Sequence, residues 1–427
     1  MAKFKIIGGK KLEGEIEVSG AKNAALKMVA ASIMIDGKTV LHNVPQILDI
    51  DRMIEIIESI GAKTEFEGNT LTINSANINS FTPDEGPINK LRGSVVIIGP
   101  LLSKFRKATF SQPGGCLIGA RPIDTHIAAF SDLGVEIEKE RKNGKYHLKA
   151  FKSFDNADKT IILEEMSVTT TENLLMASVL RKGTTRIEVA ACEPEIADLI
   201  DFLNCAGAKI QLQSGGVLVV EGVKHLTGIE HTIIPDRCEI GTFAIATAIT
   251  NGNIIIKNII PKHLSLVLKK FAKVGVNFSI ENKDNNFADL IINQRNKLSA
   301  TNIDTRPYPG FPTDLQPQFT LLMTQAKGKS RIFETLFESR FNYVFDLQKM
   351  GTDIEIESPH IVKVNGPTFL LGKDIVCTDL RGGATLVLAA LAAKGESIIN
   401  KIEYVDRGYE QFDTRLKSLG ADIERIV

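Results

Sequence analysis

The sequence predicts an α/β (α+β) protein made of six repeats of one size, a prediction that depends on two glycine patterns and on the helices between them. An apolar residue, a glycine and a small or apolar residue recur at Gly61, Gly134, Gly207, Gly275, Gly351 and Gly420, which stand 68–76 residues apart. Apolar residues precede these glycines at helical spacing, as at Ile47, Ile50, Ile54 and Ile57, or Tyr409, Phe412, Leu416 and Leu419. Each glycine is therefore expected to end a helix in the left-handed conformation and to lead into a strand.

A second glycine turn follows the other helix of most repeats. It occurs in the pairs Asp36-Gly37, Lys182-Gly183, Asn251-Gly252, Lys327-Gly328 and Lys394-Gly395, whereas the second repeat has residues 104–109 in its place and is degenerate. The helices before these turns are apolar nearly all round, which predicts that they are buried. Each repeat then consists of strand, buried helix, strand, surface helix, strand and strand, so the whole chain has pseudo-sixfold repetition.

The chain of 427 residues exceeds what one core usually supports, so we expect two domains of three repeats each. The first is predicted over residues 22–234 and carries a cysteine-containing loop at about 112–126. Residues 5–18 predict strands without a helix, and the last repeat ends one element short, so residues 1–21 are expected to complete a second domain with 235–427. Two chain crossings would form a double hinge, with the active site in the cleft between the domains.

Composition excludes several classes of function. Lys plus Arg and Asp plus Glu both number 51, so no global field attracts nucleic acid or an anionic membrane, and an anion must be bound by a local cluster. The five cysteines are far apart and form no C-x-x-C pair, which argues against a disulfide framework or a structural zinc site. The first residues lack the apolar core of a signal peptide and the apolar stretches are short, so a cytoplasmic location is expected.

The segment 112–126 places Cys116 among Gly114, Gly115 and Gly119, with Arg121 five residues on. Glycines allow the backbone to move and to approach a ligand, and an arginine favours the thiolate or fixes an anion beside it. This pattern predicts a mobile, reactive loop. The alternative is a glycine-rich turn in which the cysteine is incidental.

Basic residues occupy equivalent positions in successive repeats, at the start of the buried helix for Lys22, Arg92 and Arg381 and at the start of the surface helix for Arg121, Arg340 and Arg407. These residues are Lys22, Arg92, Arg121, Arg340, Arg381 and Arg407, accompanied by the polar residues Asn23, Ser167, Glu193, Glu195, Asp236 and Asp314. Equivalent positions lie at the same end of each domain, so the cations are expected to converge beside helix N-termini. The set suits a substrate with several phosphate and carboxylate groups, although for any one arginine a surface ion pair is the alternative.

Several long motifs occur in order along the chain. They are Ser19-Gly20-Ala21-Lys22-Asn23-Ala24-Ala25, the loop from Pro113 through Cys116 to His126, Phe311-Pro312-Thr313-Asp314-Leu315-Gln316, Glu338-Ser339-Arg340-Phe341, Thr378-Asp379-Leu380-Arg381 and Asp406-Arg407-Gly408-Tyr409-Glu410. With these motifs the chain resembles the UDP-N-acetylglucosamine enolpyruvyl transferases over essentially its whole length. The resemblance implies two inverted α/β domains of three repeats each.

The resemblance also implies an addition-elimination reaction that opens peptidoglycan synthesis. The enolpyruvyl group of phosphoenolpyruvate passes to the 3-hydroxyl of UDP-N-acetylglucosamine and phosphate leaves, with no metal or other cofactor. Both partners are small molecules, no nucleic acid or membrane partner is implied, and a monomer or weak oligomer is expected. Cys116 would be the general acid, open to a covalent adduct with phosphoenolpyruvate and to alkylation by fosfomycin, and Asp314 would accept the hydroxyl proton.

By the same resemblance, Lys22 and Arg407 join Cys116 and Asp314 as catalytic residues. Phosphoenolpyruvate would contact Lys22, Asn23, Arg92, Arg121, Arg340, Arg381 and Arg407. UDP-N-acetylglucosamine would contact Lys22, Asn23, Arg92, Arg121, Pro122, Ile123, Asp124, Thr125, Ser167, Val168, Thr169, Asp314 and Leu336.

Three positions depart from the pattern of the family. Thr169 stands where many relatives have glycine at the diphosphate turn, Glu165 where lysine is frequent, and Tyr308 where some have histidine. We expect the Glu165 side chain to take no part in binding, and His126 to be structural or to orient the loop.

Two alternatives stay open. The shikimate-pathway enolpyruvyl transferases share the fold but lack the cysteine loop and open with a Pro-Gly-Ser-Lys-Ser-like segment. A non-catalytic nucleotide-sugar binding protein of the same fold would be expected to lose Cys116 or Asp314, and both are present.

Overall fold

The computed structural model describes residues 2–115, 118–119, 122–140, 144–151, 154–155, 158–283, 286–294 and 296–426. The chain divides into two compact units. The first compact unit comprises residues 20–115 and 121–234, and the second comprises residues 1–19, 116–120 and 235–427. The predicted domain limits stay a prediction, and the compact units differ from them mainly in assigning residues 116–120 to the second unit.

Helices and strands alternate along the described residues. The α-helices are α1 (Lys22–Ala31), α2 (Leu48–Ser59), α3 (Glu85–Ile88), α4 (Ile98–Phe105), α5 (Asp124–Leu133), α6 (Val168–Val179), α7 (Pro194–Cys205), α8 (Arg237–Ile249), α9 (Ser265–Val274), α10 (Gln316–Thr324), α11 (Val344–Lys349), α12 (Leu380–Ala392), α13 (Glu403–Asp406) and α14 (Phe412–Ser418). The strands are β1 (Lys3–Ile7), β2 (Glu13–Glu17), β3 (Ile35–His42), β4 (Lys63–Glu67), β5 (Thr70–Asn74), β6 (Lys107–Phe110), β7 (Val135–Lys139), β8 (Tyr146–Ala150), β9 (Lys159–Ile162), β10 (Thr184–Glu188), β11 (Lys209–Gln213), β12 (Val217–Glu221), β13 (Leu226–Thr232), β14 (Asn253–Ile259), β15 (Phe278–Asn282), β16 (Ala288–Asn293), β17 (Ile303–Asp304), β18 (Gly328–Phe333), β19 (Asp353–Ser358), β20 (Ile361–Gly366), β21 (Asp374–Val376), β22 (Glu396–Asn400) and β23 (Asp422–Ile426).

The described strands form six sheets, three in each compact unit. The first unit has the strand orders β13-β3-β5-β4, β6-β8-β7 and β11-β12-β10-β9, and the second has β15-β16-β14-β2, β17-β18-β20-β19 and β21-β22-β1-β23. Every four-stranded sheet has one parallel pair followed by two antiparallel pairings, as in β9 with β10, β12 and β11. This repetition confirms the predicted α/β fold class with its pseudo-sixfold pattern.

The N-terminal strands complete two sheets of the second compact unit. Strand β1 lies between β22 and β23, with Phe4 opposite Ile399 on one side and Arg425 on the other. Strand β2 pairs in parallel with β14 of another sheet. The strand that the last repeat lacks is thus supplied from the start of the chain.

The helices that precede the second glycine turn form the centre of each unit. In the second unit, every residue of α8 from Cys238 onward is buried, as are residues 380–391 of α12. In the first unit, α4 packs so closely on α6 that a Cβ atom at Gly99 would lie 2.4 Å from the Asn173 carbonyl oxygen. None of the described helices has the length and apolar character needed to cross a membrane.

All six glycines of the first pattern end their helices as predicted. Their φ angles lie between +86° and +110°, in the left-handed region. The second pattern is less uniform, because Asn251 takes positive φ in place of Gly252, and Arg106 does so in the degenerate repeat. The helix expected from Tyr409 to Leu419 begins only at Phe412, since Gln411 has a φ of +41°.

Candidate active site

Asp314 lies between two buried arginines in the second compact unit. It belongs to a 3₁₀ turn, Thr313–Leu315, that leads into α10. Nη2 of Arg340 donates to its Oδ1 at 3.0 Å, and Nη2 of Arg381 donates to its Oδ2 at 3.2 Å. The arginine side chains are 2% and 3% exposed, whereas that of Asp314 is 29% exposed. The two arginines thus fix the position of the carboxylate, and part of it stays accessible to solvent.

The turn that carries Asp314 is itself tied to Glu334, a fully buried carboxylate just after β18. Glu334 accepts hydrogen bonds from the Thr313 hydroxyl at 2.9 Å, the Thr305 hydroxyl at 3.0 Å and the Leu336 amide at 2.9 Å. It thereby links Asp314 to Leu336, whose side chain is exposed. The sequence analysis did not identify Glu334, whose only signal is an acidic residue directly after Ile332-Phe333 at the end of a strand.

Arg381 combines burial with unused donors. It stands in the first turn of α12, where Asp379 caps the helix by accepting from the amides of Arg381 and Gly382 at 3.0 and 2.9 Å. Its guanidinium lies 5.2 Å above the ring of Tyr409. Among the described residues, Nε and Nη1 of Arg381 have no hydrogen-bond partner. Buried unpaired donors are costly, so this side chain suits an anionic acceptor.

Tyr409 packs against the guanidinium of Arg381 and is itself held by hydrogen bonds. Its hydroxyl lies 2.9 Å from the Thr242 hydroxyl and accepts from Nε2 of Gln318 at 3.0 Å. Burial raises the pKa of the Tyr409 phenol, which keeps it neutral. The ring therefore offers Arg381 a neutral π face.

Arg407 is buried at the end of α13, with 7% of its surface exposed. The expectation that it stands at the start of a surface helix is wrong, because the next helix begins only at Phe412. Its neighbour Asp406 is held by both terminal nitrogens of Arg425, at 2.8 and 2.9 Å.

In the first compact unit, Lys22 begins α1 and is 8% exposed, and Asn23 follows it at a partly buried position. The Lys22 ammonium forms an ion pair with Oδ2 of the buried Asp49, and Nη1 of Arg52 lies 3.2 Å from the other oxygen. Asp49, in the first turn of α2, is a second functional neighbour that sequence reasoning missed. It fixes the position of the Lys22 charge.

Arg92 spans the two ends of the cysteine loop. Its Nη1 donates to the Pro113 carbonyl at 3.4 Å and its Nη2 to the Pro122 carbonyl at 3.5 Å. It opens a 3₁₀ turn, Arg92–Ile97, ahead of α4. Cys116 and Arg121 lie outside the described residues. Between them, the Ile118 carbonyl accepts from the Ser339 amide at 3.1 Å, next to Arg340.

The predicted nucleotide-sugar residues of α5 and α6 are brought together at the start of these helices. Pro122, Ile123, Asp124 and Thr125 lead into α5, while Ser167, Val168 and Thr169 open α6. The hydroxyl of Thr170 links them, 3.2 Å from that of Thr125 and 2.8 Å from that of Ser167. A small pocket beside this cluster is lined by Thr125, Ser167 and Thr170, with Glu165 at its edge.

His126 is buried next to the hydroxyl cluster at the start of α6. Burial lowers its pKa to about 3, and the positive charge of Arg92 acts in the same direction. The imidazole is therefore neutral near pH 7. Its Nε2 lies 3.1 Å from the Thr169 hydroxyl.

The arrangement within each unit defines what it can do chemically. A half-exposed carboxylate backed by two guanidinium groups can take a proton from a hydroxyl group. Arg381 can bind an anion through its two remaining donors. The hydroxyl groups at the start of α6 can donate to further anionic oxygens.

The chain was also compared with known proteins. Residues 6–416 match the family described as EPSP synthase (3-phosphoshikimate 1-carboxyvinyltransferase). Among curated proteins, the chain is 41% identical to UDP-N-acetylglucosamine 1-carboxyvinyltransferase 2 of Caldanaerobacter subterraneus, across the full length of both chains. It is 43% identical to UDP-N-acetylglucosamine 1-carboxyvinyltransferase 1 of Clostridium acetobutylicum, again across 100% of both.

Solved structures share the fold. The enolpyruvyl transferase NikO from Streptomyces tendae superposes with a TM-score of 0.87 at 22% identity, covering 99% of this chain and 98% of its own. EPSP synthase from Acinetobacter baumannii has a TM-score of 0.77 at 18% identity, with complete coverage of both chains. Since the family match spans residues 6–416 and the curated relatives align end to end above 40% identity, the chain belongs to the enolpyruvyl (1-carboxyvinyl) transferase family, among the UDP-N-acetylglucosamine 1-carboxyvinyltransferases.

Proposed function

We propose that this transferase moves the enolpyruvyl group of phosphoenolpyruvate to the 3-hydroxyl of UDP-N-acetylglucosamine and releases phosphate. The observation that carries the proposal is Asp314, an accessible carboxylate held by Arg340 and Arg381. The acceptor is taken from the names of the relatives, UDP-N-acetylglucosamine 1-carboxyvinyltransferases.

In the addition step, the sugar oxygen bonds to C2 of phosphoenolpyruvate and its proton passes to Asp314. The electron pair of the C2–C3 double bond takes a proton from Cys116, which gives a tetrahedral intermediate that keeps carboxylate and phosphate. Each Asp314 oxygen accepts from one arginine N–H, and the side chain is 29% exposed. The arginines would thus orient the base while part of it stays accessible.

In the elimination step, C3 would return a proton to the Cys116 thiolate, the double bond re-forms and the C2–O bond to phosphate breaks, while the leaving phosphate takes the proton held by Asp314. The charge of the intermediate has to be balanced throughout. Arg381 suits this role because two of its donors lack a partner within the described part of the chain. Preorganised cations away from bulk water stabilise such charge far better than cations in water do.

The residues of the first compact unit complete the proposal. Lys22, Arg92 and Arg121 would bind phosphoenolpyruvate together with Arg381 and Arg407. The hydroxyl cluster at the start of α6 would bind the nucleotide sugar. Both groups would then act on one pair of substrates in a cleft between domains, as the sequence predicts.

The wider role follows from the reaction. It would be the first committed step of peptidoglycan synthesis and would thereby affect cell-wall biogenesis, cell shape and cell division. The cytoplasmic location, the monomeric or weakly oligomeric state and the lack of nucleic-acid or membrane partners stay predictions.

A phosphate-release assay with two acceptors tests the proposal. With phosphoenolpyruvate present, UDP-N-acetylglucosamine should support turnover, whereas shikimate 3-phosphate should not. Turnover with shikimate 3-phosphate alone would replace this proposal by the shikimate-pathway alternative. Binding of the nucleotide sugar without phosphate release would favour a non-catalytic binding protein.

Replacing Asp314 by Asn tests the base. Turnover should fall by roughly two to four orders of magnitude, the usual effect of losing a general base or acid. The KM for UDP-N-acetylglucosamine should change much less. Because the change also removes the negative partner of two buried arginines, a thermal unfolding scan must show that the variant is folded. Near-normal turnover would reduce Asp314 to a positioning role.

A further inference from the structure

A directed chain of buried hydrogen bonds ends at Thr169, in the first compact unit. The Gly99 amide donates to Oδ1 of Asn173 at 2.7 Å, and Nδ2 of Asn173 donates to the Val95 carbonyl at 2.9 Å. These two bonds fix the orientation of the amide, because an amide nitrogen cannot accept from an N–H group. Asn173 is fully buried, so water does not compete for these positions.

The orientation of Asn173 determines the tautomer of His126. Nδ2 of Asn173 lies 3.2 Å from Nδ1 of His126 and has a hydrogen to donate, so Nδ1 must be the acceptor. A neutral imidazole then carries its proton on Nε2, which lies 3.1 Å from the Thr169 hydroxyl. His126 therefore donates to Thr169.

A hydroxyl that accepts from histidine retains its own proton as a donor. For Thr169, no acceptor of that proton occurs among the residues that the structure describes. The side chain is partly exposed in the first turn of α6, one helical position before Thr170 in the hydroxyl cluster. A side-chain donor is thus presented beside Ser167 and Thr170.

We infer that Thr169 donates a hydrogen bond to an anionic oxygen of the nucleotide diphosphate, and that His126 and Asn173 are the residues that position it. The inference depends on the proposed function, which places the nucleotide sugar at residues 167–169. It adds a side-chain contact that a glycine at this position could not make.

Calorimetric titration with UDP and with UDP-N-acetylglucosamine tests the donor. Thr169→Val keeps the shape and removes the hydroxyl, so Kd should rise ~10-fold to ~100-fold for both ligands, as expected for a hydrogen bond to a charged group. Thr169→Ser should keep affinity within about threefold. Thr160→Val, on the exposed side of β9, is the matched control and should change nothing. Unchanged affinity of Thr169→Val would overturn the inference.

In steady-state kinetics, Thr169→Val should raise the KM for UDP-N-acetylglucosamine while leaving kcat and the KM for phosphoenolpyruvate nearly unchanged. This pattern separates the inference from the proposed function. If the wild type binds UDP-N-acetylglucosamine but releases no phosphate, the function fails while the contact can still be measured by titration. If the wild type does not bind the nucleotide sugar at all, both fail.

Nitrogen NMR of the wild-type chain tests the positioning role without any substitution. His126 should show the Nε2–H tautomer and should not titrate between pH 5 and 9. His126→Phe should weaken nucleotide binding in the wild-type background and have little further effect in Thr169→Val. An Nδ1–H tautomer, or full additivity of the two changes, would contradict the relay.

Discussion

The charge of single residues in the candidate active site is set by what surrounds them. Arg340 and Arg381 are almost fully buried, and a buried cation is stable only beside a partner. Asp314 forms an ion pair with both, and its side chain is 29% exposed. If Asp314 is the base, as we propose, the residue that stabilises the arginines also takes part in the chemistry.

The cysteines differ in their expected reactivity toward an epoxide. Burial raises the pKa of the Cys238 and Cys377 thiols, so neither offers a thiolate at neutral pH. Cys205 is exposed, and Cys116 lies outside the described residues. If Cys116 is the catalytic acid, fosfomycin should add once to the chain, at Cys116, and intact-mass spectra followed by peptide mapping should show it. Cys205→Ser is the control and should still be labelled.

Substitution at Cys116 should separate its roles as acid and nucleophile. Cys116→Asp should keep turnover and become insensitive to fosfomycin, because a carboxylate is a poor nucleophile toward an epoxide. Its pH optimum should move to the acid side, since aspartate titrates near ~3.9 and a free thiol near ~8.5. Cys116→Ser should lose most turnover. A fully active Cys116→Ser enzyme would exclude the thiol as the acid.

At the scale of elements, a buried ion pair joins α1 to α6. Nζ of Lys27 lies 3.1 Å from Oε2 of Glu172, whose side chain is fully buried. Burial raises the pKa of Glu172 to about 7. The positive charge of Lys27 opposes this shift, and the negative charges of Glu195 in α7 and of Glu193 just before α7 reinforce it. The folded chain therefore keeps a proton on Glu172 up to about pH 7. The unfolded chain releases this proton near pH 4.5, the ordinary pKa of a glutamate.

This pair predicts how stability depends on pH. Between about pH 4.5 and 7 the native state binds more protons at Glu172 than the unfolded state, so the contribution of this group to stability falls as pH rises. Denaturant unfolding at pH 5 and 8 should show this loss in the wild type, on the order of 1–3 kcal/mol. Glu172→Gln should flatten the difference. If the free energy of unfolding changes between pH 5 and 8 by the same amount in Glu172→Gln as in the wild type, Glu172 is ionised at both pH values in the folded chain.

Elements with a strong local signal were predictable from the sequence, whereas tertiary pairings were not. Gly134 or Gly275 after an apolar helix requires the left-handed conformation, and both adopt it. The break at Gln411 was missed because a non-glycine residue with positive φ leaves no pattern in sequence. The same limit applies to the site. Arg381 can be identified from the sequence because it occupies an equivalent position in the repeats. Glu334 and Asn173 cannot, because their hydrogen-bond partners lie far away in the chain.

At the scale of the whole molecule, two of the passages of the chain between the compact units, at residues 19–20 and 234–235, are hydrogen-bonded to each other within each unit. In the first unit the Ala21 amide donates to the Ile234 carbonyl at 2.7 Å, and in the second the Asp236 amide donates to the Ser19 carbonyl at 2.9 Å. A Cβ atom at Gly20 would lie 1.7 Å from the Asn43 carbonyl oxygen, so only glycine fits there. We expect these two passages to act as the double hinge that the sequence predicts.

If the basic residues of both units serve one set of substrates, ligand binding should change the dimensions of the molecule. Like charges brought together without an anion repel each other, so the nucleotide sugar should bind first and draw the units together. Small-angle scattering should show a smaller radius of gyration with UDP-N-acetylglucosamine, and little change with phosphoenolpyruvate alone. N-acetylglucosamine, which lacks the diphosphate, is the control and should have no effect. If the nucleotide sugar binds and the radius of gyration stays the same, the shared cleft and the hinge would both have to be abandoned.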